Sequence, residues 1–125
     1  MAGTEMQIDI KKHAGTTVVR LGESRLDAAI AVQFKERFRE LTEGDKNRVV
    51  LDLGPVGFMD SSGLGAVVAI YKHLGRERVF DLAGLSPPVS RVLTLTRMDS
   101  VFNIYPDTDA ALADDRMGNA ANAHH

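Results

Sequence analysis

The chain has 125 residues, no cysteine, 15 Lys+Arg against 17 Asp+Glu and a formal charge of -2. That length indicates one domain with a real core. The missing cysteine excludes disulfides, thiolate metal sites and cysteine nucleophiles, and the charge balance argues against a nucleic-acid surface, which needs a basic excess. No apolar run approaches the roughly 20 residues that span a bilayer. Met1 to Ile10 lacks the pattern of a secretory signal, so the expected location is the cytoplasm.

Met6, Ile8 and Ile10 alternate with polar residues, the period of a strand with one buried face. A turn at His13-Ala14-Gly15-Thr16 leads to the β-branched run Thr17 to Leu21, and the two segments read as a hairpin. Gly22 to Arg25 is polar and loop-like. Asp27 is suited to cap a helix whose Ile30, Phe34, Phe38 and Leu41 form one apolar stripe. Gly44 is a natural stop. Arg48 to Leu53 is nearly continuous in apolar residues, as in a central strand covered on at least one face. Gly54-Pro55 breaks it.

Phe58-Met59 returns to the core, and Asp60-Ser61-Ser62 supplies three consecutive candidate caps. Leu64, Val67, Val68, Tyr71 and Leu74 predict a second amphipathic helix ending at Gly75. Val79 to Ala83 reads as a strand, and Ser86-Pro87 opens a third helix with Val89, Val92, Leu93 and Thr96 on its inner face. Val101 to Tyr105 suits a short final strand, and Asp107 or Thr108 caps a last helix through Ala113. The domain is expected over residues 4–113. Residues 114–125, rich in Ala, Asn, Gly and His, are expected to be a disordered tail; the terminal His124-His125 carry no weight. Alternating strands and helices imply a mixed sheet with a parallel section, hence an α/β fold.

The segment Gly57 to Gly65 lies between a strand and a helix. Its plain reading is a capped helix start; its functional reading is a pair of exposed hydroxyls at the positive end of a helix, placed to receive an anion. A nucleophile elbow fails on spacing, because Met59 stands where the first glycine belongs. Gly63-x-Gly65 is followed by Val68, which breaks the dinucleotide pattern, and no Gly-Lys-Ser/Thr loop occurs. His13 and His73 have no ligand-spaced neighbours and read as surface residues. Asp52 and Asp60 fit capping better than acid–base work.

The octet Phe58-Met59-Asp60-Ser61-Ser62-Gly63-Leu64-Gly65 resembles the STAS family, and within it the bacterial anti-sigma-factor antagonists. Val49 to Leu53, Leu26-Asp27-Ala28-Ala29, Tyr71-Lys72 and Leu85-Ser86-Pro87 extend the resemblance over about residues 6–112. It implies a mixed sheet of four to five strands with about four helices mainly on one face. It implies a non-enzymatic regulator, without cofactor, that acts by partner switching. The unphosphorylated antagonist binds an anti-sigma factor that is also a serine kinase, and a serine phosphatase reverses the mark. By this resemblance Ser61 is the phosphoacceptor, Ser62 its neighbour at the contact surface, and Asp27 a surface residue nearby.

The expected partner surface comprises Glu23, Arg25, Asp27, Met59, Asp60, Ser61, Ser62, Gly63 and Gly65, the two glycines letting a partner backbone come close. The free protein is expected to be a monomer, without nucleic-acid or membrane partners. The alternative is a STAS module that senses a ligand or switches partners on a non-sigma target. The loop Gly22 to Asp27 is longer than the common family pattern, which bears on partner specificity. Its Arg25 is a candidate counter-ion for a phosphate on Ser61.

Overall fold

The computed structural model describes residues 5–114. Of the expected tail only Asp114 is among them; residues 115–125 lie outside the described residues. The strands are β1 (Ile8–His13), β2 (Thr16–Leu21), β3 (Arg25–Leu26), β4 (Arg48–Asp52), β5 (Phe58–Met59), β6 (Phe80–Ala83) and β7 (Ile104–Tyr105). The helices are α1 (Ala31–Thr42), α2 (Ser61–Leu74), α3 (Pro87–Leu95) and α4 (Thr108–Ala113). Five strands form one mixed sheet in the order β1-β2-β4-β6-β7. The opening hairpin is antiparallel and the remaining pairs are parallel, as alternation with helices requires.

Side chains of a strand alternate between faces, and here the two faces carry different loads. Val19 and Leu21, Val49 and Leu51, and Phe80 and Leu82 face the main core beneath α1, α2 and α3. Phe34, Phe38, Phe80 and Phe102 run through that core in edge-to-face contacts, with ring centroids 5.8 to 5.9 Å apart. Val18, Val50 and Ala83 face the opposite side, where Ala111 and Leu112 of α4 cover them. Three helices thus share one face, and α4 is the exception.

A buried ion pair fastens α4. The Arg48 guanidinium and Asp81 carboxylate are each 1% exposed and 2.9 Å apart. Arg48 Nη1 donates to the carbonyls of Ala111 at 2.8 Å and Asp114 at 3.3 Å, satisfying the end of the helix. Tyr105 donates its hydroxyl to Asp114 at 2.5 Å. Burial and that contact push the hydroxyl up to about 12, so it remains protonated at neutral pH.

Several elements depart from the sequence expectation for definable reasons. Asp27 does not cap α1. It closes a separate turn, its Oδ1 accepting from Ala29 N–H at 3.1 Å and its carbonyl from Ala31 N–H at 2.9 Å, and the regular helix starts at Ala31. The inward face of α1 is Ala31, Phe34, Phe38 and Thr42, with Leu41 only half-buried. The inward face of α2 is Gly63, Ala66, Val67 and Ile70; of the expected stripe Val67 is fully buried, and Leu64, Val68 and Leu74 are partly buried against the core. Small residues on that side let α2 press close to its neighbours. Tyr71 turns outward and meets Phe102 edge-on at 5.3 Å. The last strand shrinks to Ile104–Tyr105 because a 3-10 turn over Met98–Ser100 comes first.

Breaking a buried pair leaves a charge without compensation. Asp81→Ala is expected to lower stability by about 3–5 kcal/mol in urea unfolding. Arg20→Ala, at the exposed end of the 3.9 Å Arg20–Asp52 pair, should cost at most ~1 kcal/mol.

Candidate functional site

The site lies at the carboxyl ends of the parallel strands, the usual place for function in an α/β sheet. Beyond β4 the chain crosses Gly54-Pro55 and forms β5, which pairs in parallel with β3 as a separate ribbon: Arg25 opposite Phe58, Leu26 opposite Met59. The loop that looked irregular in sequence is therefore half of a small sheet. Its pairing sets Asp27 level with Asp60, at the point where α2 begins.

Asp60 is the hinge pin of this corner. Its Oδ1 accepts from Gly63 N–H at 2.9 Å, capping α2, and its Oδ2 accepts from Ala28 N–H at 3.2 Å, holding the turn before α1. The hydrogen bonds from Gly63 and Ala28 hold the carboxyl below its ordinary value of 3.8. Leu26 and α2 approach so closely that a Cβ on Gly63 would lie 2.0 Å from the Leu26 carbonyl oxygen. Gly63 is the only residue that fits. Gly65, two positions on, faces open space with nothing within 4 Å.

The expected site residues divide accordingly. Ser61 and Ser62 are exposed, in the first turn of α2. Gly65 is exposed beside them. Met59, 4% exposed, belongs to the core, and Gly63 is buried; the free fold does not present either at the expected surface. The space Gly63 provides is used by the protein's own Leu26. Glu23 is half-buried and accepts from Gln7 N–H at 2.6 Å, tying the loop to the chain before β1. Arg25 donates from Nε to Asp27 Oδ2 at 3.0 Å and lies over the Phe58 ring at 4.2 Å. Phe58, 40% exposed, is an outward apolar residue that the sequence pattern placed in the core, and Val32, 60% exposed, lies outward off the apolar stripe of α1. An aromatic beside a core methionine reads as core until the strand's second face is known to be open.

Neither His13 nor His73 serves these serines. His73 sits twelve residues along α2 from Ser61, about 18 Å at helical rise. His13 ends β1 beside Thr16, at the opposite end of the sheet. Among the described residues no group of three His, Cys, Asp or Glu side chains could hold a metal, and no helix there is long and apolar enough to cross a membrane.

The STAS domain family matches residues 7–111. The chain belongs to that family. An anti-sigma F factor antagonist of Paenibacillus polymyxa is 29% identical over 111 residues, 87% of this chain and 94% of that protein. The anti-sigma-F factor antagonist RsfB of Mycobacterium tuberculosis is 24% identical over 117 residues, 94% of this chain and 95% of its own. A crystal structure of an anti-sigma factor antagonist from Mycobacterium paratuberculosis superposes with a TM-score of 0.79 at 29% identity, covering 90% of this chain and 95% of that one. The expected STAS fold is thus the one observed.

Two outcomes follow from the corner's geometry. A carboxylate whose folded-state pKa is depressed stabilises above its unfolded value, and that contribution fades as pH falls through the folded one. Asp60→Asn keeps a capping oxygen but cannot titrate, so melting curves between pH 2 and 6 should show a shallower acid decline than the parent. Gly63→Ala should unfold the corner or lower the melting temperature by more than roughly 10 °C, whereas Gly65→Ala should raise it by a few degrees, because alanine favours a helix by about 0.5–1 kcal/mol.

Proposed function

We propose that this STAS protein is an anti-sigma factor antagonist governed by phosphorylation of Ser61. Unphosphorylated, it binds an anti-sigma factor that is also a serine kinase, and the sigma factor is released. The kinase moves the γ-phosphoryl group of ATP onto Ser61 Oγ; the hydroxyl proton leaves to a base on the kinase, and ADP departs. A serine phosphatase hydrolyses the ester and restores binding. The protein is a substrate in this cycle, and the reading calls for no resident cofactor.

One observation supports this above the others. In a chain whose relatives bear the name anti-sigma factor antagonist, the serine after the helix cap is exposed to solvent. A kinase needs that accessibility. The helix start also decides what the product does to its own fold. A phosphate adds a charge of about -1.5 to -2, and first-turn N–H groups and the helix dipole favour an anion there. Since Ser61 is exposed, the phosphate stays hydrated and the fold survives.

A partner packed over the same spot would have to strip water from the dianion. A loss of ~3 kcal/mol lowers affinity more than a hundredfold, enough to exchange partners. Gly65 fits the same picture. A glycine inside a helix costs stability, and within the described fold nothing occupies the space where its side chain would be. A partner backbone lying against α2 would use that space.

Ser61→Asp is expected to abolish binding to the cognate anti-sigma kinase in calorimetry, with the melting temperature within about 2 °C of the parent. An aspartate variant that binds like the parent would overturn the charge block. Gly65→Ala should weaken the same complex at least tenfold although the free protein becomes more stable, a split that a purely structural glycine would not produce.

A further inference from the structure

Arg25 is held in a way that leaves most of its donors idle. Nε is engaged by Asp27 Oδ2 at 3.0 Å, and the guanidinium carbon stands 4.2 Å from the centre of the Phe58 ring. Those contacts fix the plane of the group against an aromatic face and pin one edge of it. A guanidinium carries five N–H donors, and the four on Nη1 and Nη2 make no hydrogen bond to a described residue. The side chain is 60% exposed, so this edge is open to solvent.

Register places that edge near the serine. Arg25 pairs with Phe58 and Leu26 with Met59, so Asp27 falls level with Asp60, and Ala28 N–H reaches the Asp60 carboxylate at 3.2 Å. Nε is bonded to Asp27, whose backbone is level with Asp60, the residue before Ser61. Ser61 follows Asp60 as the first residue of α2, next to the turn that Asp27 closes.

We infer that Arg25 receives the phosphoryl group of phosphorylated Ser61 on its Nη edge, with Phe58 as the platform that aims it. This rests on Ser61 being the phosphoacceptor. The surrounding charges explain why a cation is needed. The phosphate would share its turn with Asp60 and face Asp27 across the β3–β5 seam, with Glu23 further along the loop. Helix N–H groups alone would oppose three carboxylates. The guanidinium can take two phosphate oxygens at once while Nε stays on Asp27, a geometry lysine cannot copy. The phosphorylated state then has a defined shape that a phosphatase can recognise.

The test places phosphoserine at position 61 during synthesis of the full chain and follows its second ionisation by phosphorus NMR. The midpoint of the parent should lie roughly half a unit or more below that of Arg25→Ala, because a nearby cation favours the dianion. Phe58→Leu should fall between the two. Arg25→Lys should recover only part of the shift. The gap should narrow in about 0.5 M salt, as expected of an exposed pair. Equal midpoints for the parent and Arg25→Ala would overturn the inference. Since no kinase is used, a kinase that never marks Ser61 would defeat the functional reading and leave this comparison standing.

Discussion

The corner that carries the serines is held by a single carboxylate shared between two helix approaches. Asp60 accepts from Gly63 N–H and from Ala28 N–H, so the start of α2 and the turn leading into α1 are fixed to the same side chain. Without that bridge the β3–β5 ribbon has only two residues on each side, too few to hold itself. The close approach of Leu26 to Gly63 completes the join from the backbone side. The position and exposure of Ser61 both inherit from this arrangement. The hydroxyl is presented because the residue before it is spent on capping.

The opposite end of the sheet is secured by a different device. Asp45 accepts from Asn47 N–H at 3.1 Å and pairs with Lys12 at 3.2 Å and Arg78 at 2.5 Å, joining the hairpin, the loop before β4 and the approach to β6. Arg48 fastens α4 to the back face through Asp81 and the helix carbonyls. The far end of the sheet is thus tied by ionic contacts, the back by the buried pair together with a small apolar cluster, and the front by the main apolar core. The serine-bearing corner takes no part in the Asp45 or Arg48 networks. A charge added there meets neither the buried pair nor the aromatic run of the core.

Much of this was legible from residue pattern. The hairpin, the central strand, helix starts within Asp60-Ser61-Ser62 and at Ser86-Pro87 and the mixed sheet follow from periodicity, caps and breakers. Three things were not. The β3–β5 ribbon is two residues long, and a pair such as Arg25-Leu26 has no period to detect. The inward face of α2 includes Gly63 and Ala66 beside Val67 and Ile70; hydrophobic spacing found Val67 but passes over the two small residues, and the criterion that finds them is close approach, which exists only between elements. Asp27 satisfied the rule for a cap and does accept a backbone N–H, but it closes a turn of its own, one step before the helix. Hydrogen-bonding capacity was readable there and the identity of the donor was not.

The site octet itself is a mixture of two kinds of constraint. Met59 and Gly63 face inward, one filling the core and the other admitting Leu26; Leu64 is half-buried against the core. Asp60 ties backbone. These residues would be required of any chain that turned this corner, whatever it bound. Only Ser61, Ser62 and Gly65 point outward from the first turns of α2, joined at the edge by Phe58 with Arg25 laid across it. The resemblance that identified the family therefore speaks to the fold through four of its eight residues. On the proposed function its binding content lies in the exposed remainder, and a chain could keep the corner intact while exchanging those few side chains for another partner. Differences in partner choice between proteins of this fold should be sought first in what surrounds the serine from outside: the length of the loop before α1, the cation it presents, and the small residue that leaves room on α2.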